Sequence, residues 1–412
     1  VDAGGTYSAD KPFYATVRAV ERVTPVAYEK QIIHMALDIS GSHIEYKPGD
    51  AFGVLPENRP DLVAGVLARL GEDGRRVFAA SASINAIKAG RPLSVAEALG
   101  KHCDLTSPPK KSLLRLLAES CGDPAEKDRL LAMVCTAGKA TYKKQVVEGE
   151  LNLLDILEEF PSCKPGVEDL IEFLPALAPR EYSVSSAAEV HANEIHFAFS
   201  VVKYETPAGK IRQGVATTWL STLADRVSAG ADAKVPIFMR PSKDFQHPGD
   251  LAKPIVMIGP GTGVSPFRGF AHFRGHLIET REESQALQEV GESWLFYGCR
   301  DRTKDFLYES DFTALREAKV LHHYQVAFSR EQAAKVYVQD RMQEHAAKLA
   351  ELIVDKGAYV FVCGDGKHMA KDVQTKLREI VARHGAGMQP EAAEDYLQGM
   401  QKNGRYVRDI WS

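Results

Sequence analysis

The chain has 412 residues, of which 44 % are hydrophobic and 26 % charged, as is typical of a soluble globular protein with two or three domains. Its net charge of −4 gives no indication of nucleic-acid binding, and no apolar run approaches the roughly 20 residues that span a bilayer. The six cysteines show no CxxC pair and the histidines no HExxH pattern, so we expect free thiols, a cytoplasmic compartment and no metal. Because the first residue is Val1 rather than Met, the sequence is compatible with a further domain upstream, or with an upstream anchor that would hold the protein at the cytosolic face of a membrane.

The first part of the chain has the sequence pattern of β-strands. Segments at Tyr14–Val20 and Gln31–Ile39 are separated by Pro25, and Tyr46–Asp50 is a predicted turn. From residue 61 the apolar period changes to that of amphipathic helices. These helices are predicted at Asp61–Leu70, Ser94–Leu99, Ser112–Ser120, Glu126–Thr136 and Leu151–Phe160. No motif in this stretch indicates chemistry, so we interpret it as a helical insert.

After the insert, further β-strands are predicted at Tyr182–Ser185, Glu194–Tyr204 and Val235–Arg240. Between the last two, Gly214–Thr217 leads into a predicted helix, TTWLSTLADRV. A glycine and small residues at a helix start suit a pyrophosphate, and Arg180 could supply the counter-charge.

From Lys253 onward, strands and helices alternate, which predicts a parallel, doubly wound sheet. The strands are expected at Ile255–Ile258, Trp294–Tyr297, Tyr324–Phe328 and Tyr359–Val362, and the helices at Phe267–Glu279, Glu309–Ala318, Asp340–Ile353 and Met369–Arg383. Ligands of such sheets lie beyond the carboxyl ends of the strands.

A glycine-rich turn, GPGTG at residues 259–263, follows the first of these strands and precedes a helix. Glycines allow close approach of a pyrophosphate, although such turns also merely join strands to helices. Further unusual clusters follow the other three strands: GCR at 298–300, SRE at 329–331 and CGDG at 363–366. Their placement favours a nucleotide site at this edge.

Arg330, Lys335 and Tyr337 follow the third strand of this part. Two cations and a phenol suit a dianionic ribose phosphate, so NADPH fits better than NADH. A solvated charged loop is the alternative, and the position at a strand end decides against it. Two phosphate sites in one chain suggest a flavin together with a nicotinamide.

A set of motifs, in their order along the chain, resembles the FAD/NADPH half of the diflavin reductases. These motifs are REYS with GVAT, GPGTGVSPF, YGCR, FSRE…KVYVQ, FVCGD…MAKDV and RYVRDIWS. The resemblance covers essentially the whole chain, including the insert, which resembles that family's connecting domain. Within this family, the resemblance is to methionine synthase reductase in three stretches: YKPGDAFGV, LLDILEEFPSCKP and the DIWS ending. The alternative member of the family is NADPH–cytochrome P450 reductase.

The resemblance implies an antiparallel β-barrel FAD domain with a helical insert, followed by an α/β doubly wound NADPH domain, a ferredoxin–NADP reductase-like arrangement. The barrel would occupy residues 1–60 and 171–248, the connecting domain 61–170 and the NADPH domain 249–412. A stand-alone ferredoxin– or flavodoxin–NADP reductase would need no such insert. A non-catalytic adaptor of the same fold is a further alternative.

The family's roles carry over onto matching positions. The residues that would contact FAD are Arg180, Glu181, Tyr182, Ser183, Ala198, Phe199, Ser200, Tyr204, Gly214, Val215, Ala216, Thr217 and Trp411. The residues that would contact NADPH are Thr262, Arg300, Ser329, Arg330, Lys335, Tyr337, Gln339 and Asp372. Ser183, Cys363 and Asp409 would surround the hydride path, with Trp411 over the flavin face.

The implied reaction is oxidation of NADPH by FAD. Electrons would then pass to an FMN-binding flavodoxin-like domain, in cis or in trans, and onward to a haem or cobalamin acceptor.

Overall fold

The computed structural model describes residues 7–25, 27–78, 91–207, 209–282, 289–385 and 387–411. In chain order, the elements of the first part are β1 (Phe13–Arg22), β2 (Ile32–Asp38), β3 (Ala51–Val54), α1 (Pro60–Leu70), β4 (Val77–Phe78), β5 (Leu93–Ser94), α2 (Val95–Lys101), α3 (Lys111–Glu119), α4 (Pro124–Val134), α5 (Lys139–Tyr142), α6 (Leu153–Glu159), α7 (Val167–Phe173), β6 (Arg180–Ser183), β7 (Glu194–Ser200), β8 (Lys203–Glu205), β9 (Ile211–Gln213), α8 (Val215–Ser228) and β10 (Lys234–Arg240).

The elements of the second part follow: β11 (Ile255–Ile258), a 3₁₀ turn (Gly261–Val264), α9 (Ser265–Thr280), β12 (Ser293–Cys299), α10 (Glu309–Glu317), β13 (His323–Phe328), α11 (Val338–Glu344), α12 (Ala346–Ala350), β14 (Tyr359–Asp365), α13 (Met369–His384), α14 (Pro390–Lys402) and β15 (Tyr406–Trp411). π-helical turns follow α5 at Lys143–Val147 and α12 at Glu351–Asp355.

Six strands of the first part form an antiparallel sheet in the order β6-β3-β10-β1-β2-β7. Its buried face carries residues such as Ile33, Phe52, Phe197 and Ile237, which pack against α8. In the described residues no ladder joins the end strands β6 and β7, so closure of this sheet into a barrel remains a prediction. A separate hairpin, β8 with β9, projects beside it.

The predicted strand Glu194–Tyr204 is interrupted. β7 ends at Ser200 and β8 begins at Lys203. Between them Val202 turns toward the start of α8: its N–H donates to Thr217 Oγ1 at 3.0 Å, and its carbonyl accepts from the N–H of Gly214 at 2.9 Å.

The helical insert lies between β3 and β6 and has its own core of leucines, isoleucines and valines. Local signals fix its helices. α1 begins with Pro60 and ends at Leu70, and the residue that caps it, Gly71, has a φ of 69° that favours glycine. α6 begins in a capping box in which Asn152 and Asp155 satisfy each other's backbone N–H groups. The five predicted helices are present, whereas α5 and α7 were not predicted.

The second part is the predicted parallel sheet, in the order β13-β12-β11-β14-β15. Its central strand, β11, is buried along its whole length, as expected for a strand covered by helices on both faces. The final strand, β15, was not predicted. It pairs with β14 and so brings the last described residues to the carboxyl edge of the sheet.

None of the described residues belongs to a helix that is long and apolar enough to cross a membrane.

Candidate active site between the two sheets

A cavity of about 1050 Å³ opens between the antiparallel sheet, the β8–β9 hairpin, the start of α8 and the carboxyl edge of the parallel sheet. This volume is in the range of dinucleotide and drug-sized ligand sites. Every residue that the resemblance assigned to FAD lines it. Asp409 and Thr262 line it as well, so the parallel sheet also contributes to its wall.

One wall of the cavity is apolar and aromatic. Tyr182 on β6 lies with its ring centroid 5.2 Å from that of Phe197 and 6.2 Å from that of Phe199, both on β7. Burial raises the pKa of the Tyr182 phenol, so this ring stays neutral. Ala198 is buried beside it, and together these groups suit the planar face of a large aromatic ligand.

The start of α8 forms a second wall, and its geometry requires a glycine. A Cβ on Gly214 would lie 2.8 Å from Thr217 Oγ1 and 2.9 Å from Val202 Cβ. Gly214 offers no side-chain cap, so the first N–H groups of this 14-residue helix have no side-chain partner at the N-cap. Val215, Ala216 and Thr217 line the cavity there. This cradle fits an anionic diphosphate.

Three polar side chains that line the cavity from β6 and β8 have identifiable partners. Arg180 Nη1 donates to the carbonyl of Ala178 at 2.6 Å. Glu181 pairs with Arg240 at 3.2 Å. Tyr204 is 45 % exposed and its hydroxyl donates to Glu150 of the helical insert. Of the predicted set, Glu181 thus lines the cavity and is paired with Arg240 of β10, and Tyr204 connects the hairpin to the insert.

A polar cluster joins the two sheets at the inner end of the cavity. Ser183 Oγ on β6 donates to Asp409 Oδ2 on β15 at 2.7 Å. Cys363 Sγ on β14 is 3.8 Å from the same oxygen, since Cys363 and Asp409 are direct neighbours in the ladder. Burial raises the pKa of the Cys363 thiol well above its usual value, and Asp409 adds to the rise, so the sulfur stays protonated. Trp411, 45 % exposed, lines the cavity two residues further along.

The glycine-rich turn after β11 packs closely against this cluster. A Cβ on Gly263 would lie 2.2 Å from the carbonyl oxygen of Cys363, so only glycine fits. Gly261 has a φ of 60°, which also favours glycine. Thr262 between them lines the cavity. The predicted phosphate turn is thus held against the strand that carries Cys363.

The cationic side chains of the parallel sheet meet at its carboxyl edge. Arg300 Nη1 lies 2.5 Å and Arg330 Nη1 2.8 Å from the same carboxylate oxygen of Glu29, on the loop between β1 and β2. Lys30 Nζ lies 4.0 Å from Asp305, and it would lie 3.6 Å from a Cβ built on Gly261. Burial lowers the pKa of Lys30. Sequence reasoning missed both Glu29 and Lys30, because a polar turn between two strands gives no signal of a site.

The remaining residues predicted to contact NADPH lie around this group. The backbone N–H of Ser329 donates to the carbonyl of Cys299 at 3.0 Å, which sets β13 beside β12. Lys335 and Tyr337 are exposed on the segment before α11, and Gln339 is half-buried in its first turn. Asp372 is exposed in the first turn of α13.

A histidine cluster lies outside the cavity, between the antiparallel sheet and α9. His191, Glu194 and His196 have potential ligand atoms within 4.8 Å of one another. Arg268 Nη1 donates to His196 Nδ1 at 3.4 Å, and His196 Nε2 faces Glu194 Oε2 at 2.8 Å. Because Arg268 donates to Nδ1, the Nε2 proton is donated to Glu194, and we interpret the group as a hydrogen-bond network between β7 and α9. His272 on α9 is half-buried, with its ring centroid 5.3 Å from that of His191.

Comparison with known proteins agrees with this geometry. Residues 6–219 match the FAD binding domain family, and residues 257–375 match the oxidoreductase NAD-binding domain family. The chain therefore belongs to the FAD-binding oxidoreductases, and these two domains in this order agree with the expected resemblance to the FAD/NADPH half of a diflavin reductase. It is similar over 98 % of its length to the NADPH–cytochrome P450 reductases of Oryctolagus cuniculus (39 % identical), Homo sapiens (38 %) and Dictyostelium discoideum (36 %). The chain spans 59 % of the length of each of these relatives.

These relatives carry the name that the sequence analysis gave as its alternative to methionine synthase reductase. The family match and the relatives confirm the prediction of FAD and a nicotinamide dinucleotide as cofactors. The helical insert lies within the region matched by the FAD binding domain family.

Proposed function

We propose that this chain transfers a hydride from NADPH to FAD, as the entry module of an electron-transfer reductase. The observation that carries the proposal is the meeting of Ser183, Asp409 and Cys363, which come from two different sheets, at the inner end of one cavity. A site that must hold two planar rings face to face has to be built from both nucleotide-binding parts, because positioning supplies most of the acceleration of hydride transfer.

The predicted residues would then have the following roles. Arg180 and the start of α8 would hold the FAD diphosphate, and Tyr182 would lie against the flavin ring, with Ala198, Phe199, Ser200 and Tyr204 around it. The six-stranded sheet would act as a barrel, which the contact of Tyr182 with Phe197 across the end strands supports. FAD supplies a ring that accepts a hydride and can release the two electrons one at a time.

Within the inner cluster each side chain has a distinct task. Asp409 places a negative charge where positive charge develops on the nicotinamide. Ser183 is held by its hydrogen bond to Asp409, and its hydroxyl can turn toward a ring nitrogen. Cys363, kept as a thiol by burial, limits the space behind the carboxylate. Trp411 would cover the flavin face and would move aside when the nicotinamide enters.

NADPH would lie along the carboxyl edge of the parallel sheet. Thr262, Arg300 and Lys30 would hold its diphosphate, and Ser329, Arg330, Lys335, Tyr337 and Gln339 would surround the 2′-phosphate, with Asp372 nearby. The proposed domain limits are residues 1–60 with 171–248 for FAD, 61–170 for the insert and 249–412 for NADPH.

The names of the relatives favour a haem protein over cobalamin as the final acceptor. Electrons would reach it through an FMN-binding domain, in cis or in trans. We place the protein in the cytoplasm or on the cytosolic face of a membrane, in agreement with its free thiols.

The cofactor assignment is tested by a double variant, Arg330→Ala with Lys335→Ala. Removing two cations from a ribose phosphate should raise the KM for NADPH roughly 100-fold and leave that for NADH within a few-fold. Ferricyanide reduction measures both. Arg378→Ala, an exposed cation on α13, is the matched control and should change neither. Equal losses with both nucleotides would remove Arg330 and Lys335 from the 2′-phosphate site.

A further inference from the structure

Two cysteines of the helical insert face each other across a short antiparallel bridge. Cys121 follows α3 and Cys163 follows α6, and the two are direct partners in the bridge. The flanking hydrogen bonds run from the N–H of Gly122 to the carbonyl of Ser162 (3.2 Å) and from the N–H of Lys164 to the carbonyl of Ser120 (3.0 Å). Cys121 and Cys163 are therefore a non-hydrogen-bonded pair, the position at which facing side chains approach most closely.

The sulfur atoms point toward the same place. Cys121 Sγ lies 3.3 Å and Cys163 Sγ 3.1 Å from the carbonyl oxygen of Leu117, in the last turns of α3. The Cα separation of a non-hydrogen-bonded antiparallel pair, roughly 4.5 Å, falls within the range that a disulfide requires. The pairing of the two residues and the shared direction of their sulfurs are therefore compatible with a disulfide.

We propose that Cys121 and Cys163 form a reversible disulfide, which makes the helical insert a site of redox modification. The bond would fasten the end of α3 to the segment between α6 and α7, closing a loop that contains α4, α5 and α6. Such a cross-link would stabilise the insert mainly by restricting its unfolded state.

The exposure of the two thiols sets the order of the reaction. Cys163 is fully buried, and burial, with a contribution from Cys121, raises its pKa to about 12. Cys121 is half-buried and is therefore the sulfur that a small disulfide reaches first. Its thiolate would attack glutathione disulfide and release one glutathione thiolate. Cys163, on losing its proton, would then attack the Cys121 sulfur and release the second. The two thiols are oxidised, glutathione disulfide is reduced, and the two released protons are taken up by the two glutathione thiolates.

The test uses the full chain with FAD, equilibrated in glutathione buffers of increasing oxidised fraction, quenched with acid, alkylated and digested without reduction. We expect a peptide pair cross-linked through Cys121 and Cys163 that disappears on reduction, while the other cysteines alkylate. Cys121 held as a mixed disulfide with glutathione, or both thiols alkylated in fully oxidising buffer, would overturn the proposal.

Single variants separate the two steps. Cys163→Ser should accumulate the mixed disulfide at Cys121, and Cys121→Ser should leave the buried Cys163 unmodified. Cys135→Ser, which removes the exposed cysteine after α4, is the matched control and should still give the cross-link. A cross-link that forms equally between Cys135 and another cysteine would show non-specific oxidation and contradict the proposal. Because the readout is covalent, it does not depend on the proposed reductase activity.

Discussion

Ser183 and Asp409 lie 226 positions apart in the chain, and their side chains are 2.7 Å apart, joined by a hydrogen bond between two different sheets. The bond exists because β6 is the last strand of the antiparallel sheet and β15 the last strand of the parallel one, so that two sheet edges face each other. Each side chain then lies at the cavity that the other sheet completes.

Asp409→Asn should lower the rate of flavin reduction roughly 100-fold, because the negative charge that would stabilise the nicotinamide cation is gone. FAD content and the visible spectrum should change little, since an amide oxygen still accepts from Ser183. Stopped-flow reduction with excess NADPH measures the effect. Asp395→Asn, an exposed change on α14, is the control. A normal rate in Asp409→Asn would remove this carboxylate from the reaction.

Trp411→Ala should raise activity with NADH relative to NADPH by roughly tenfold, the effect of about 1.4 kcal/mol. Trp411 lines the cavity, and in the proposed arrangement it covers the flavin face, so a nicotinamide would displace it at a cost in free energy. NADPH can offset that cost with its extra phosphate contacts, whereas NADH cannot. Steady-state kinetics with both nucleotides test this, with Trp411→Phe as the variant that keeps a ring. An unchanged preference would contradict it.

Glu29→Gln should tighten NADPH binding several-fold at low salt. Glu29 pairs with both Arg300 and Arg330 through one carboxylate oxygen, and in the proposed arrangement a phosphate of the nucleotide would compete with it for these arginines. The gain should shrink as salt screens the charges. Equilibrium titration of the oxidised protein with NADP⁺ measures the affinity. Glu45→Gln, exposed on the loop after β2, provides a control for the loss of one charge. Weaker binding in Glu29→Gln would mean that Glu29 positions the arginines rather than competing for them.

His247→Asn should reduce the loss of stability on acidification. Burial lowers the pKa of His247 from 6.5 to about 3, and nearby Arg274 adds to the effect. The unfolded chain therefore takes up a proton first, and stability falls as the pH drops below 6.5. Between pH 6.5 and 5 this residue should cost the wild type about 2 kcal/mol.

Asparagine cannot take up that proton, and its side-chain oxygen can still accept from the N–H of Gly249, which is 3.1 Å from His247 Nδ1. Denaturant unfolding at pH 6.5 and pH 5 compares the two proteins. An identical loss of stability in both would show that His247 does not contribute to the acid sensitivity.

The parts of the fold with strong periodicity were predictable. The buried run Ile255–Ile258 became the central parallel strand, and the glycine turn after it took the predicted place. β15 was not predicted, because a short strand at the edge of a sheet has no pattern of its own until β14 is present beside it. α7 was not predicted either, and its Val167, Leu170 and Ile171 are buried in the insert core.

The residues of the site likewise fall into two groups, those that the sequence could predict and those that only the structure brings together. Residues in motifs, such as Gly214 and Arg330, could be predicted as site residues from their neighbours in the chain, and the structure places Gly214 at the cavity and Arg330 at the carboxyl edge of the parallel sheet. Glu29 could not be, since its role depends on a loop of the first sheet reaching the carboxyl edge of the second. Cys121 and Cys163 were counted as separate free thiols, because their pairing appears only in the bridge between α3 and the segment after α6.

The most direct test is an anaerobic single-turnover experiment on the purified chain loaded with FAD. We expect a yellow protein with bound FAD, whose visible absorbance falls on mixing with NADPH as the flavin is reduced. A protein that takes up no flavin, or one whose bound flavin stays oxidised in the presence of NADPH, would contradict it.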